Sequence, residues 1–546
     1  MEADFFAFLR ADCELAPIEN GARPEVIDMA QIKVNDVTFS YEGSFDDVLK
    51  DVNFNIDTDW KLGLIGRNGK GKTTLLNLLM GRYECNKGSI SSSTRFDYFP
   101  YEISEDDLNK TADELTGKWK PEAESWQILI QMNQIGMDAE CLYRPLKTLS
   151  FGERTRVMLA VLFAVEGEFL LIDEPTNHLD TEAREAVKNY LSKKKGFILV
   201  SHDRDLLDAV CDHVLVLNRQ TIEVQTGNFS SWWENKEKAD AFAKAENEKH
   251  LKEINKLKVA ADRAERWADK NEATKIGFNP VKEHDRFMGT RAYIGAKTKK
   301  MQSRVKNFEV RIDREIDEKE GLLKDIEREI NLKVMPLKHH KDVLVLAKDL
   351  TLRYADAEKP LFENLRFEIR QGDRVVLKGE NGCGKSSIIK AILGKAAFEE
   401  KIPGYENLIV NGTLDVASGL KISYINQDTS FLKGNLKDYC KAHDFDESLF
   451  LAILSQLDFS AVQFAKNMEE FSEGQKKKVL IASSLITPAH LYIWDEPLNY
   501  IDVFSRMQIE KLILSFKPTM LIVDHDVRFQ EKVATEIIIC KTANLC

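Results

Sequence analysis

No run in this 546-residue sequence approaches the roughly 18 uncharged, apolar residues of a membrane span. The best stretch, Met158 to Ile172, is broken by Glu166 and Glu168, so the chain is expected not to cross a bilayer. A basic secretory leader is missing too. The opening MEADFFAFLR puts acidic residues ahead of a short apolar stretch, which predicts a cytoplasmic protein. Cysteine is sparse: the eight residues at 13, 85, 141, 211, 383, 440, 540 and 546 include no C-x-x-C pair. That spacing speaks against both a zinc knuckle and a disulfide framework, and reduced thiols are expected. Proline is nearly absent from one long region, with Pro280 alone between 236 and 335.

What is present is enough apolar material, 43% of residues, to build several cores, and the length suggests about three units. The net charge of −12 would argue against a nucleic-acid partner if it were evenly spread. It is not. Residues 236–335 hold 25 Lys+Arg against 20 Asp+Glu, a net of +5, and the excess sits within 271–310, which has 9 basic and 4 acidic residues. A basic patch on an acidic protein points to an anionic partner.

The chain repeats itself at an offset of 313 to 323 residues. Val37-Thr-Phe-Ser-Tyr41 answers Leu350-Thr-Leu-Arg-Tyr354, and GRNGKGKT at 66–73 answers GENGCGKS at 379–386. LSFGERTR, with Ser150, answers FSEGQKKK, with Ser472; FLLIDEP answers LYIWDEP; VSHD answers VDHD. Two copies of one α/β domain follow, at 29–235 and 342–546, with residues 1–28 as an extension without a counterpart. The region between them, 236–341, is rich in Ala, Glu, Lys and Arg. Leu251, Ile254, Leu257, Ala261, Ala264 and Ala268 recur at helical spacing, as do Val305, Phe308, Ile312, Ile316, Leu323, Ile326 and Ile330. A helical hairpin is predicted, with arms reaching about 60 Å and a turn near 276–296 marked by Gly277, Pro280, Gly289 and Gly295. Its tip carries Phe278, Phe287 and Tyr293 among Arg291, Lys297, Lys299 and Lys300.

GRNGKGKT follows the apolar run Leu62–Ile65 and precedes Thr74–Leu79, the strand, loop and helix context of a nucleotide P-loop. Backbone N–H groups across Gly66, Asn68, Gly69, Lys70, Gly71, Lys72, Thr73 and Thr74 can wrap a triphosphate, with Lys72 on the outer phosphates and Thr73 on magnesium. Gly379, Asn381, Gly382, Cys383, Gly384, Lys385, Ser386 and Ser387 repeat the arrangement. Asp173 and Asp495 end apolar runs and suit a magnesium shell; Glu174 and Glu496, expected to diverge from them by strand alternation, suit general bases. His202 and His525 follow further apolar runs and can sense the terminal phosphate.

In this order the motifs resemble those of ABC ATPases, over nearly all of residues 30–540. The resemblance implies ATP and Mg²⁺ as ligands and head-to-tail pairing of the domains. Site one would then join Lys72, Thr73, Asp173, Glu174 and His202 to Ser472, Gly474 and Gln475, and site two Lys385, Ser386, Asp495, Glu496 and His525 to Ser150, Gly152 and Glu153. Tyr41 and Tyr354 match the aromatic that stacks on adenine, Gln427 the Q-loop glutamine on magnesium, and Asp180 and Asp502 the D-loops. Twin domains without membrane spans, joined by a long charged hairpin, resemble the ABC-F family. That implies an ATP-hydrolysing monomer acting on the ribosome near tRNA in the E and P sites. Phe96-Asp-Tyr-Phe-Pro-Tyr101, FSEGQKKK and WDEPLNYID are similar to the Lsa-type branch, which protects ribosomes from lincosamides, streptogramin A and pleuromutilins. A housekeeping translation factor and the ATPase of an exporter are the competing readings. The first copy departs from the pattern by placing Tyr101, followed by Glu102, where the Q-loop glutamine belongs.

Overall fold

The computed structural model describes residues 31–41, 47–177, 179–217, 222–276, 306, 336–357, 359–396, 405–459 and 461–541, with backbone only at 260–262, 264, 265, 267–276 and 461. The first repeat opens with β1 (Gln31–Phe39), β2 (Leu49–Asp57), β3 (Lys61–Gly66), β4 (Lys87–Ser92) and β5 (Arg95–Phe99). It continues through β6 (Glu168–Asp173), β7 (Phe197–Val200), β8 (His213–Leu217) and β9 (Ile222–Thr226). Three strands form an antiparallel sheet in the order β2-β1-β4; the others form a sheet in the order β5-β6-β7-β3-β8-β9, parallel except for β9.

The second repeat has β10 (Val343–Tyr354), β11 (Phe362–Arg370), β12 (Arg374–Lys378), β13 (Leu408–Val416), β14 (Ile422–Ile425), β15 (Leu491–Asp495), β16 (Met520–Val523) and β17 (Glu536–Ile539). They pair as β11-β10-β13 and β14-β15-β16-β12-β17, the same order without a counterpart of β9 among the described residues. The central parallel strands are buried on both faces, so they read as continuous apolar runs such as Phe197–Val200.

Register decides where the chemistry emerges. Asp173 on β6 and Leu64 on β3 both pair with Val200 on β7, so the P-loop, the Asp-Glu pair and the Ser201-His202 turn leave one edge of the sheet together. Asp495 pairs with Val523, which brings the same three segments together in the second repeat. That edge, beyond the carboxyl ends of parallel strands, is where open α/β sheets bind ligands.

One helix runs from Phe229 to Ile276, 48 residues and about 72 Å. It starts inside the stretch assigned from sequence to the first domain, because Phe229 and Trp232 are buried in a core shared with Val503, Phe504 and Met507 of the second repeat. Ile254 is buried as its periodicity predicts, but Leu251 is exposed, so the expected apolar stripe is incomplete. The predicted tip residues Phe278, Phe287, Arg291, Tyr293, Lys297, Lys299 and Lys300, and the second arm bar Lys306, lie outside the described residues.

Candidate active site

Each P-loop ends at the N-terminus of a helix, Lys72–Leu79 or Lys385–Lys395, whose N-cap is a glycine in the left-handed region, Gly71 at φ 95° and Gly384 at φ 101°. A Cβ on Gly71 would stand 2.6 Å from Val48, so both backbone and space demand glycine. Neither helix has a side-chain cap, which leaves its first N–H groups facing the loop as an anion cradle. Lys72 Nζ donates to the Gly66 carbonyl at 2.7 Å and to Asn68 Oδ1 at 3.1 Å; Lys385 Nζ donates to the carbonyls of Gly379 and Glu380, each at 2.8 Å. Cys383 is buried and hydrogen-bonded to Cys540, leaving its backbone to the cradle. Tyr41 shares a 2.7 Å hydrogen bond with Thr74, and Tyr354 a 3.0 Å one with Ser387, so each predicted base-stacking ring is tied to its own P-loop helix.

Asp173 Oδ2 accepts from the Thr73 hydroxyl at 3.3 Å and from the Tyr98 hydroxyl at 3.1 Å. Asp495 accepts from Gln427 Nε2 at 3.2 Å and from Ser386. Burial pushes both aspartates above the usual carboxylate range, so a cation among these oxygens would be favoured. A hydroxyl and a carboxylate converging at each loop are the hard oxygen donors that Mg²⁺ prefers, and the donor set fits it. Among the described residues no cluster of three His, Cys, Asp or Glu side chains could hold a metal unaided.

Glu174 and Glu496 lie just past their strands at φ 49° and 48°. Their divergence from the aspartates therefore comes from a left-handed turn, not from the strand alternation expected from sequence. Burial, then the charge of Asp173, pushes the Glu174 carboxyl up to about 8; burial and Asp495 raise Glu496. His202 Nε2 stands 3.3 Å from Glu174 Oε1, and His525 Nε2 3.8 Å from Glu496 Oε1. Burial holds His525 down at about 3 and lowers His202 as well, so both rings are neutral. Glu174 Oε1 and His525 Nε2 are buried without a hydrogen-bond partner among the described residues, an arrangement that suits a further polar group.

The domains meet unequally over these loops. At site one Asn68 Nδ2 donates to the Tyr500 carbonyl of the second D-loop at 2.7 Å, and an added Cβ on the buried Gly474 would lie 3.2 Å from the Asn68 amide. Signature and P-loop are thus in contact across domains. At site two Gly152 packs on Ala183 and Leu179 of its own domain, and Arg184 reaches across to the His525 carbonyl at 3.3 Å. A cleft of about 400 Å³ lies there between Arg184, Asn381, Lys385, Gln427, Glu496 and Asn499. Ser150 and Ser472 each cap a helix: their hydroxyls accept from the N–H of Glu153 and Gln475, whose side chains accept the serine N–H in return.

A family model described as ABC transporter matches residues 49–177 and 362–499, one copy per repeat. The chain is a twin-domain ABC ATPase. Such ATPase domains bind and hydrolyse ATP, normally with Mg²⁺. By sequence this ABC ATPase is similar to ABC-F proteins. It is 26% identical over 500 residues to the ribosome protection protein VmlR of Bacillus subtilis, covering 90% of this chain and 84% of that protein. It is 26% identical over 533 residues to the ATP-binding protein Uup of Buchnera aphidicola, covering 93% and 80%. It is also 26% identical over 563 residues to ABC transporter F family member 2 of Arabidopsis thaliana, covering 93% and 76%. An archaeal ribosome recycling factor, solved in complex with a ribosomal stalk protein, shares the fold with a TM-score of 0.58 at 18% identity, over 92% of this chain and 87% of that one. No described helix of the ABC ATPase is long and apolar enough to cross a membrane.

Several contacts in the ABC ATPase have no sequence signature. Tyr101 does occupy the register of Gln427, yet its hydroxyl donates to Asp97 at 2.8 Å and its ring stacks on Trp119. Asn499 Nδ2 donates to Glu496 at 2.8 Å, from the position that Asn177 holds in the first repeat. Arg204 forms a buried bidentate pair with Glu510 across the domains, and only the fold brings positions 306 residues apart together.

Proposed function

We propose that this protein is a cytoplasmic ABC-F ATPase that binds the ribosome and protects it from antibiotics of the peptidyl-transferase region, of lincosamide, streptogramin A or pleuromutilin type. The observation that carries the reading is the root of the 48-residue helix. Ser230 donates from its N–H to Asp208 at 2.7 Å and accepts from Arg528 of the second domain at 3.1 Å, while Trp232 meets Phe504 edge to face at 5.9 Å. Because both domains grip the root, any change in their angle is carried along about 72 Å of helix to the linker tip. Similarity to a protein named for ribosome protection supports this use of the lever.

The catalytic steps belong to this chain's own side chains. Lys72 and Lys385 bind the outer phosphates of ATP; Thr73 with Asp173, and Ser386 with Asp495 and Gln427, would hold Mg²⁺, which neutralises phosphate charge when bound. Glu174 and Glu496 accept a proton from the attacking water, a task suited to carboxylates whose proton affinity is raised by burial. His202 and His525, neutral beside them, orient the water and terminal phosphate. ATP bound between a P-loop and the opposite signature draws the domains together, and hydrolysis releases them.

The test is a drug-sensitive bacterial host, with and without the gene and its Glu174→Gln/Glu496→Gln form, exposed to several ribosomal drug classes. Protection by the parent but not by Phe278→Ala, Phe287→Ala or Tyr293→Ala, with ATPase rates retained, supports the reading. A parent that gives no protection while the hydrolysis-deficient form still co-sediments with ribosomes replaces it with the housekeeping translation factor.

A further inference from the structure

The two magnesium carboxylates are not held alike. At site two the hold comes from Gln427, in the loop two residues beyond β14, whose amide donates to Asp495 at 3.2 Å. At site one the residue in that register, Tyr101, is turned away and engaged twice over, by Asp97 and by Trp119. Lys120 pins the same Asp97 at 3.0 Å, so the tyrosine's acceptor is itself fixed. The hydroxyl that does reach Asp173, at 3.1 Å, belongs to Tyr98 on β5.

We propose that Tyr98 is the positioning residue that fixes Asp173 for its cation at site one, in place of the missing glutamine. Its counterpart Tyr424 stands in the same register on β14, each one step before the strand residue opposite the last apolar residue of the neighbouring strand. A strand tyrosine is thus common to both sites, and the loop glutamine belongs to site two alone.

Three features suit Tyr98 to the role. The phenol is a donor at neutral pH, and Asp173 Oδ2 also accepts from Thr73, so two hydroxyls hold one carboxylate oxygen. The Arg82 guanidinium lies over the Tyr98 ring at 5.1 Å, which fixes the ring without occupying its hydroxyl. Finally, β5 is paired along its length with β6, from Arg95 opposite Glu168 to Phe99 opposite Ile172, so donor and acceptor ride on one rigid ladder. At site two the glutamine that reaches Asp495, beside Ser386, rides on a loop. Movement of the chain beyond β5 would therefore leave the tyrosine's hold on Asp173 in place, whereas movement beyond β14 would take Gln427 with it. This inference rests on the ATPase assignment and is independent of the ribosome reading.

The test uses full-length protein carrying Lys385→Ala, so that nucleotide and metal report site one, with Mn²⁺ and a non-hydrolysable ATP analogue as probes. Free Mn²⁺ is followed by its electron paramagnetic resonance signal. Tyr98→Phe keeps the ring and the Arg82 contact, and it should raise the Mn²⁺ dissociation constant roughly tenfold, the scale of one hydrogen bond to a charged acceptor. Tyr101→Phe should leave that constant within about twofold of the parent, since the bond it loses is to Asp97 and not to the carboxylate that meets the metal. Melting curves without nucleotide are the structural control. An unchanged constant in Tyr98→Phe, a lowered melting point with no change in metal binding, or an equal loss in Tyr101→Phe overturns the proposal. A mirrored experiment keeps the question open to refutation even if Tyr98→Phe does not fold: in a Lys72→Ala background, Gln427→Ala should weaken Mn²⁺ binding at site two, and retention of parental affinity there removes the premise that this hold matters.

Discussion

Site one and site two are assembled from the same motifs in the same order, yet the domains close over them differently. At site one a P-loop amide bonds the opposite D-loop and stands where a side chain on the opposite signature glycine would meet it. At site two a cleft of about 400 Å³ remains, with Arg184 bridging at its edge. Electrostatics follow the same division. Site one feels Asp502, Lys478 and Arg506 of the second domain through Lys72, Glu174 and His202, whereas the cation from the first domain that bears on His525 is Arg184 alone among the causes of its shift. Near-identical motifs therefore do not make equivalent sites; burial comes first in shifting the proton affinities, and the charges that the other domain adds to it differ between the two.

The largest effect that can break this comparison is on turnover. Glu174→Gln with Glu496→Gln should slow steady-state ATP hydrolysis by at least about a hundredfold, the scale of losing a general base. With a cleft of about 400 Å³ at site two, Glu496→Gln alone should account for most of that loss in a phosphate-release assay. A larger loss from Glu174→Gln would reverse the assignment of the faster site.

Next in size is the grip between the domains. Arg204 is 2% exposed and Glu510 3%, and Arg204 also lies 3.7 Å from Asp526. Removing the arginine takes the bidentate partner from the buried Glu510, which keeps Lys532 at 3.4 Å while Asp526 keeps Arg506 at 3.0 Å, so Arg204→Ala should destabilise the folded pair by about 3 kcal/mol, read by denaturant melting. Arg184→Ala, losing one 3.3 Å bond at the looser site and a 3.7 Å ion pair with Asp203, should cost about 1 kcal/mol. Equal losses would mean that the two junctions carry the same load.

A smaller difference is expected within the first P-loop. Gly71→Ala meets Val48 as well as an unfavourable φ and should cost about 2 to 3 kcal/mol, while Gly69→Ala, at φ 74° with open space around its Cβ, should cost about 1 kcal/mol. Thermal melts of the two variants in parallel measure it. The least effect is reserved for Asn68→Ala, which loses the 2.7 Å bond to Tyr500 and should weaken closure at site one by about 1 kcal/mol. Nucleotide-dependent small-angle scattering reads that closure, and an unchanged closure curve would mean that the P-loop amide does not contribute.

Much of the fold could be read from sequence because its signals are local or repeated. The apolar runs Leu62–Ile65 and Leu170–Ile172 read as strands, and the glycines at 69 and 71 between strand and helix read as a phosphate-binding loop; both are at those places in the fold. The P-loops and the Asp-Glu pairs leave one edge of each sheet together. Tyr101 was read as a departure by its position, and the geometry shows why position was insufficient: a side chain three residues earlier, on the strand, reaches the same carboxylate. The long helix begins seven residues before the linker boundary expected at 236, because Phe229 and Trp232 root it in a core that includes Val503, Phe504 and Met507 of the second domain.

Sequence by itself determined the two P-loop domains, their strand-loop-helix chemistry and the long helix between them, since each depends on residues close together in the chain and on periods that burial imposes. Only the tertiary structure decided which donor holds each magnesium carboxylate, the left-handed turn that aims Glu174 and Glu496, the buried Arg204–Glu510 pair, and the unequal closure of the two sites. These depend on side-chain direction and on contacts between residues hundreds of positions apart, and no local pattern encodes either.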